Sequence, residues 1–244
     1  MKDYFRQVQN KNHPVYYQFI DNDSDETVVF LHGLFSTSSI FRHFLKFLKC
    51  NIILMELRGI VWSKCKKPFV ENYVEDLKLI LDKEKIKGAA LVGYSLGCNI
   101  ANEFAEKYDK RVSKAILLAP VNRSLKEIGR KNLIKQLLMG LGKDFFKKWK
   151  EYLRLEKSCS PFKIFGFFNF KLLKDSFQRI IFTKKCKIII LNGKLDTFFD
   201  PKDINLKLPN IIQKRIKNFD HFLFLRKKRI EAIAKHLAVL LQKA

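Results

Sequence analysis

A serine set between two glycines, in the run Gly93-Tyr94-Ser95-Leu96-Gly97, is where this 244-residue chain shows its clearest capacity for covalent chemistry. A hydroxyl is a weak nucleophile until a base removes its proton and the backbone presents it to a substrate. The flanking glycines let a strand turn sharply into a helix, with Ser95 exposed at the tip. Because that turn opens a helix, the Leu96 amide sits at its positive end and can stabilise an oxyanion. A second amide is expected from Leu34, in His32-Gly33-Leu34 at the end of an earlier strand, where the glycine allows the loop to come close.

The base is expected from a histidine late in the chain. Two follow Ser95: His221, in Asn218-Phe219-Asp220-His221-Phe222 just beyond the last strand, and His236, inside the closing helix and read as a surface residue. His13 precedes Pro14 in the N-terminal segment and His43 falls in a helix, so His221 is the better choice. An acid must orient the imidazole from a loop at the same edge of the sheet. In Leu191-Asn192-Gly193-Lys194-Leu195-Asp196, Asp196 follows a strand by a few residues, with Asp200 and Asp203 close enough in sequence to compete.

These residues need a scaffold, and the hydrophobic pattern describes one. Thr27–Leu31 is a compact apolar run that reads as a strand buried on both faces, and Asn51–Leu57, Gly88–Val92 and Lys114–Leu118 read as three further strands. Between them, Ser36–Ser39 supply cap chemistry for a helix with Ile40, Phe41, Phe44, Leu45 and Leu48 at helical spacing. Val70–Asp82 repeats that spacing through Tyr73, Val74, Leu77, Ile80 and Leu81, and a further helix starts directly after Ser95. Strand candidates return at Cys186–Leu191 and near Ile211–Ile216, and an amphipathic helix over Arg226–Leu241 closes the chain. Alternating strands and helices at this pitch imply right-handed crossovers: an α/β fold, its mostly parallel central sheet covered by helices on both faces.

On these residues the chain resembles α/β-hydrolases of the compact bacterial carboxylesterase type. Four motifs agree in identity and order over about residues 26–242: His-Gly-Leu after the third expected strand, the Gly-x-Ser-x-Gly elbow, Gly-x-x-Asp after a late strand, and a histidine before the terminal helix. The resemblance implies a core of residues 1–120 and 186–244 and a helical cap inserted over 121–185. It implies catalytic Ser95, Asp196 and His221, an oxyanion hole from the amides of Leu34 and Leu96, and hydrolysis of an ester or thioester without cofactor or metal. Two departures stand out. Glu56-Leu57-Arg58-Gly59-Ile60-Val61-Trp62-Ser63 keeps Arg-Gly but lacks the second glycine of the family's loop, and Asp220, expected to point to solvent, replaces the glycine usual before the histidine.

Composition sets the remaining bounds. With 47% hydrophobic and 30% charged residues the chain is expected to fold as one globular domain. No apolar run approaches the ~18 residues of a membrane-spanning helix, and Met1–Asn12 lacks the apolar core of a signal peptide. Five scattered cysteines, without C-x-x-C spacing, fit reduced thiols and a cytoplasmic location. The net charge of +24 reads either as a solvated lysine surface or as a sign of an acidic partner. Asn122–Lys185 alone holds 17 Lys and Arg against 5 Asp and Glu, with nine Phe and one Trp. A basic, aromatic cap of this kind resembles that of esterases which trim the methyl ester from an acyl chain on acidic acyl carrier protein in biotin synthesis. Two alternatives stand beside hydrolysis: acyl transfer by the same triad, and a basic binding protein built on a hydrolase fold. No nucleic-acid module is recognisable, so nucleic acid is not an expected partner.

Overall fold

The computed structural model describes residues 2–11, 13–34, 36–58, 69–129, 131–132, 180–203, 208–221 and 227–242. Eight strands form one sheet: β1 (Lys2–Asn10), β2 (His13–Asp21), β3 (Thr27–Leu31), β4 (Asn51–Met55), β5 (Ala89–Tyr94), β6 (Val112–Leu118), β7 (Lys187–Gly193) and β8 (Ile211–Ile216). Their spatial order is β1-β2-β4-β3-β5-β6-β7-β8. β1 and β2 run antiparallel to their neighbours, and the six strands from β4 to β8 are mutually parallel.

Successive side chains of a strand leave opposite faces of a sheet, and here that alternation divides the interior into two cores. Val29, Leu31, Leu91, Leu117 and Ile190 pack under helices α2 (Val70–Lys83) and α3 (Leu96–Lys107). Val28, Phe30, Val92, Ile116 and Leu191 face the other way, against α1 (Arg42–Leu45) and the terminal helix Lys227–Gln242. Central strands buried on both faces must therefore be apolar throughout, which is why β3 and β5 read as unbroken hydrophobic runs.

Two elements depart from the sequence expectation. The helix expected after Ser36 is instead a 3-10 turn (Ser38–Phe41) followed by the single α-helical turn of α1. Phe41 and Phe44, both fully buried, stack on Phe30 with ring centroids 4.8 and 6.0 Å away. Their three-residue spacing suits the 3-10 period, and the Thr37 side chain caps the turn by accepting from Ser39 N–H. The residue pattern located no strand before Thr27, where the structure has the N-terminal β1–β2 hairpin. It is tied to α2 by side chains: Arg6 and the Tyr17 hydroxyl donate to Glu84, and Asn10 donates to Asp76.

The cap expected over 121–185 lies mostly outside the described residues. The two described ends of that segment are fixed to the core. The outgoing stem carries α4 (Leu125–Ile128); on the returning one, Asn102 donates to Ile181 C=O at 2.9 Å and accepts from Thr183 N–H at 3.0 Å. Among the described residues no helix is long and apolar enough to cross a membrane.

Candidate active site

The carboxyl ends of parallel strands form one edge of an α/β sheet, and loops leaving neighbouring strands meet there. Ser95 stands at that edge between β5 and α3, Asp196 follows β7, and His221 follows β8. The structure brings the three into a hydrogen-bonded line. Ser95 Oγ lies 2.9 Å from His221 Nε2, and His221 Nδ1 lies 3.1 Å from Asp196 Oδ2. A carboxylate only accepts, so Nδ1 carries the ring proton and Nε2 is left free to accept from the serine hydroxyl. Asp196 and His221 are both buried, and Ser95 is partly open. Asp196 Oδ1 also accepts from Phe198 N–H at 2.9 Å, and the Phe198 ring rests on the imidazole at 4.5 Å.

Of the competing aspartates, Asp200 accepts at Oδ1 from Lys202 N–H at 2.9 Å, and Asp203 ends a 3-10 turn, Pro201–Asp203. His13 lies in β2, His43 in α1, and His236 is exposed on the terminal helix. Asp220 corrects an expectation: it is buried, 2% exposed, not turned to solvent. Its burial follows from its place between buried Phe219 and buried His221, on a segment packed onto the end of β7.

The glycines of the elbow act through space more than through backbone freedom. The left-handed conformation falls on Ser95 itself, at φ 52°, ψ −114°. A Cβ at Gly97 would lie 2.0 Å from the Leu31 carbonyl oxygen, and one at Gly93 would lie 2.3 Å from the Gly97 oxygen. Both neighbours are backbone and cannot swing aside. Gly97→Ala is accordingly expected to cost about 3 kcal/mol of stability, read as a fall in Tm of roughly 6–12 °C; a variant melting with the wild type would refute the steric account.

Gly33 is confined less severely, and by side chains. A Cβ there would lie 3.1 Å from both Ser95 Cβ and Tyr94 Cδ1, so the peptide joining Gly33 to Leu34 runs alongside the serine. The Leu96 amide opens α3, where the first backbone N–H groups have no partner within the helix. Behind Gly33, the buried His32 donates from Nδ1 to Gly33 C=O at 2.9 Å and accepts at Nε2 from Leu57 N–H at 3.0 Å. Glu56, which accepts from Ser38 N–H and its hydroxyl, places its other oxygen 3.4 Å from the same ring nitrogen. Glu56 belongs to the loop that departs from the family pattern; residues 59–63 of that loop lie outside the described residues. Arg58 reaches back to the buried carboxylate of Asp76 and to Asn72 C=O.

Two residues near the site escaped the sequence reading. Asn122, just past β6, donates from Nδ2 to Asp200 C=O at 2.7 Å and accepts from Asp200 N–H at 2.8 Å, which holds the acid loop. Tyr94, the variable residue before the serine, donates its hydroxyl to His221 C=O at 2.9 Å. Burial, with Asp196 and Asp220 nearby, holds its phenol well above the usual tyrosine range. Burial also pushes the thiols of Cys98 and Cys186 up, the latter to about 11, so both are protonated and poorly reactive near neutrality. No cluster of three or more His, Cys, Asp or Glu suited to a metal occurs among the described residues.

Comparison with known proteins agrees with this architecture. The uncharacterized hydrolase YugF of Bacillus subtilis is 33% identical over 109 residues, 43% of this chain and 40% of that protein. Ethanol acetyltransferase 1 of Cyberlindnera jadinii is 28% identical over 129 residues, 50% of this chain and 38% of that protein. The chain therefore matches about two fifths of the length of these relatives. A serine hydrolase from Cycloclasticus zankles superposes with a TM-score of 0.73 at 16% identity, over 98% of both chains. The model of the alpha/beta hydrolase fold family matches residues 26–157, more than half of the sequence, and the chain belongs to that family.

Proposed function

We propose that the protein is a serine hydrolase that cleaves a carboxylic ester or thioester through an acyl-enzyme. The observation that carries this reading is the unbroken line from Ser95 Oγ through both ring nitrogens of His221 to Asp196. In this mechanism Ser95 Oγ attacks the carbonyl carbon while His221 Nε2 takes its proton. The oxygen that becomes negative is met by the amides of Leu34 and Leu96. Asp196 holds the imidazole in the tautomer that can accept and stabilises the imidazolium that forms. Collapse of the intermediate expels the alcohol or thiol, which takes the proton from His221. Water then attacks the acyl-serine with His221 as base, releasing the acid and restoring Ser95.

The test is covalent labelling. A fluorophosphonate probe is expected to modify the wild-type protein at one site, mapped by peptide mass spectrometry to Ser95. A label found elsewhere, or none, removes this mechanism. A panel of esters and thioesters of varied acyl length, with carrier-bound methyl esters included, then identifies the substrate. The carrier-bound arm draws its support from the charge of +24 and the basic, Phe-rich sequence 122–185.

A second reading rests on the similarity to the ethanol acetyltransferase. The same acyl-serine would pass its acyl group to an alcohol in place of water. Turnover in the presence of ethanol separates the two: a transferase yields the ester and little free acid, a hydrolase yields the acid.

A further inference from the structure

Proton transfer between Ser95 and His221 depends on holding two chain segments, 126 residues apart in sequence, at hydrogen-bond distance. The serine is fixed by the sheet. Tyr94, its direct neighbour, pairs with Leu118 at the end of β5, and Ser95 N–H donates to Leu118 C=O at 3.1 Å. The histidine lies outside the strand ladder: it follows β8 in a loop that turns through Asn218 at φ 63°. The Tyr94 hydroxyl, donating to the carbonyl of His221 at 2.9 Å, links that backbone directly to the rigid element that carries the serine.

From this arrangement, and resting on the serine-hydrolase reading above, we infer that Tyr94 is a positioning residue whose hydroxyl sets the distance between the His221 imidazole and Ser95 Oγ. Tyr94 is itself held tightly. It is 8% exposed, its ring lies 5.9 Å from the imidazole at an interplanar angle of 29°, and its edge faces Gly33. A single phenol thus touches the backbone of the base, sits one peptide bond from the nucleophile, and bounds the loop carrying the Leu34 amide. With the phenol protonated across the working pH range, its O–H is always available to donate. Reacting groups tolerate little displacement, and an error of about 1 Å costs on the order of a hundredfold in rate.

Tyr94→Phe keeps the ring and removes the donor. Tyr17→Phe serves as control: Tyr17 is another buried tyrosine, whose hydroxyl donates to Glu84 at the C-terminal end of α2 and to none of the three site residues. The expected result for Tyr94→Phe is a kcat about 10- to 100-fold lower, KM within about twofold of the wild type, and slower fluorophosphonate labelling by a similar factor. The downfield proton resonance of His221 Nδ1–H shifts or broadens in the same variant. Tyr17→Phe is expected to lower Tm while kcat, labelling and that resonance stay at wild-type values. Wild-type kcat in Tyr94→Phe, or a fall in kcat shared equally by both variants, overturns the assignment. Failure of the wild type itself to be labelled at Ser95 instead overturns the underlying mechanism, so the two failures are distinguishable.

Discussion

Replacing Ser95 by alanine is expected to lower kcat/KM by about 10⁵- to 10⁶-fold, the scale seen when the nucleophile of a serine triad is removed. The loss should be confined to chemistry. The Ser95 backbone is held by Leu118 C=O and itself accepts from Cys98 N–H at 2.9 Å, and alanine leaves both bonds in place. Residual activity above about 1% of wild type would contradict the role proposed for Ser95. The same position makes a second, thermodynamic expectation. At φ 52°, ψ −114° a side-chain-bearing residue is strained, at a cost of about 1–3 kcal/mol, and alanine is strained as serine is. Glycine is not. Allowing for its greater entropy loss on folding, Ser95→Gly should be about 1 kcal/mol more stable than Ser95→Ala, a Tm higher by roughly 2–4 °C. Equal or reversed melting points would show that the elbow stores no strain. The expected order would mean that the site gives up stability to hold its serine out of the turn.

Asp196→Asn is expected to reduce kcat by about 10⁴-fold with little change in fold. The reasoning is one of proton placement. Asp196 accepts twice, from Phe198 N–H at Oδ1 and from His221 Nδ1–H at Oδ2. An amide in the same pose keeps one acceptor oxygen, which Phe198 N–H continues to occupy. Its NH₂ group then faces Nδ1, so the imidazole must accept there and carry its proton on Nε2, pointing at Ser95 Oγ. Such a ring cannot act as the base. Asp196→Asn should therefore resist fluorophosphonate labelling, while near-ultraviolet circular dichroism and Tm remain close to wild type. Normal labelling would mean that another group orients His221, and the candidate would then be Asp220, whose burial beside the histidine the sequence did not reveal.

The hydrophobic pattern made the sheet from β3 onward legible, and for a definite reason. Strands covered on both faces have no room for polar side chains, so Thr27–Leu31, Asn51–Met55 and Ala89–Tyr94 stand out locally, and α2 shows its buried stripe directly. The β1–β2 hairpin was not legible because one strand lies at the sheet edge and is largely polar. Its stability comes from partners such as Glu84 and Asp76, more than sixty residues away. The α1 region misled in the opposite sense: the spacing of Phe41, Phe44 and Leu48 satisfies helical periodicity, but a 3-10 turn brings Phe41 to Phe30 and only the single α-helical turn after it brings Phe44.

The sequence by itself determined the chemical inventory of the site: a serine in a glycine-flanked strand-to-helix turn, a late histidine, a group of aspartates after β7, and the order in which parallel strands present them. These are local properties, set by residue type and short-range geometry. Tertiary structure alone decided which aspartate meets the histidine, since Asp196 and Asp200 differ by four positions in sequence but point to different partners. It also decided that Asp220 is buried, that the elbow glycines are demanded by the closeness of Leu31 and Gly97 backbone atoms, and that the Tyr94 hydroxyl reaches the backbone of His221. The physical reason is common to all of these. Each depends on the distance between segments far apart along the chain, and that distance is set by the packing of the whole sheet and its helices, which no local pattern encodes.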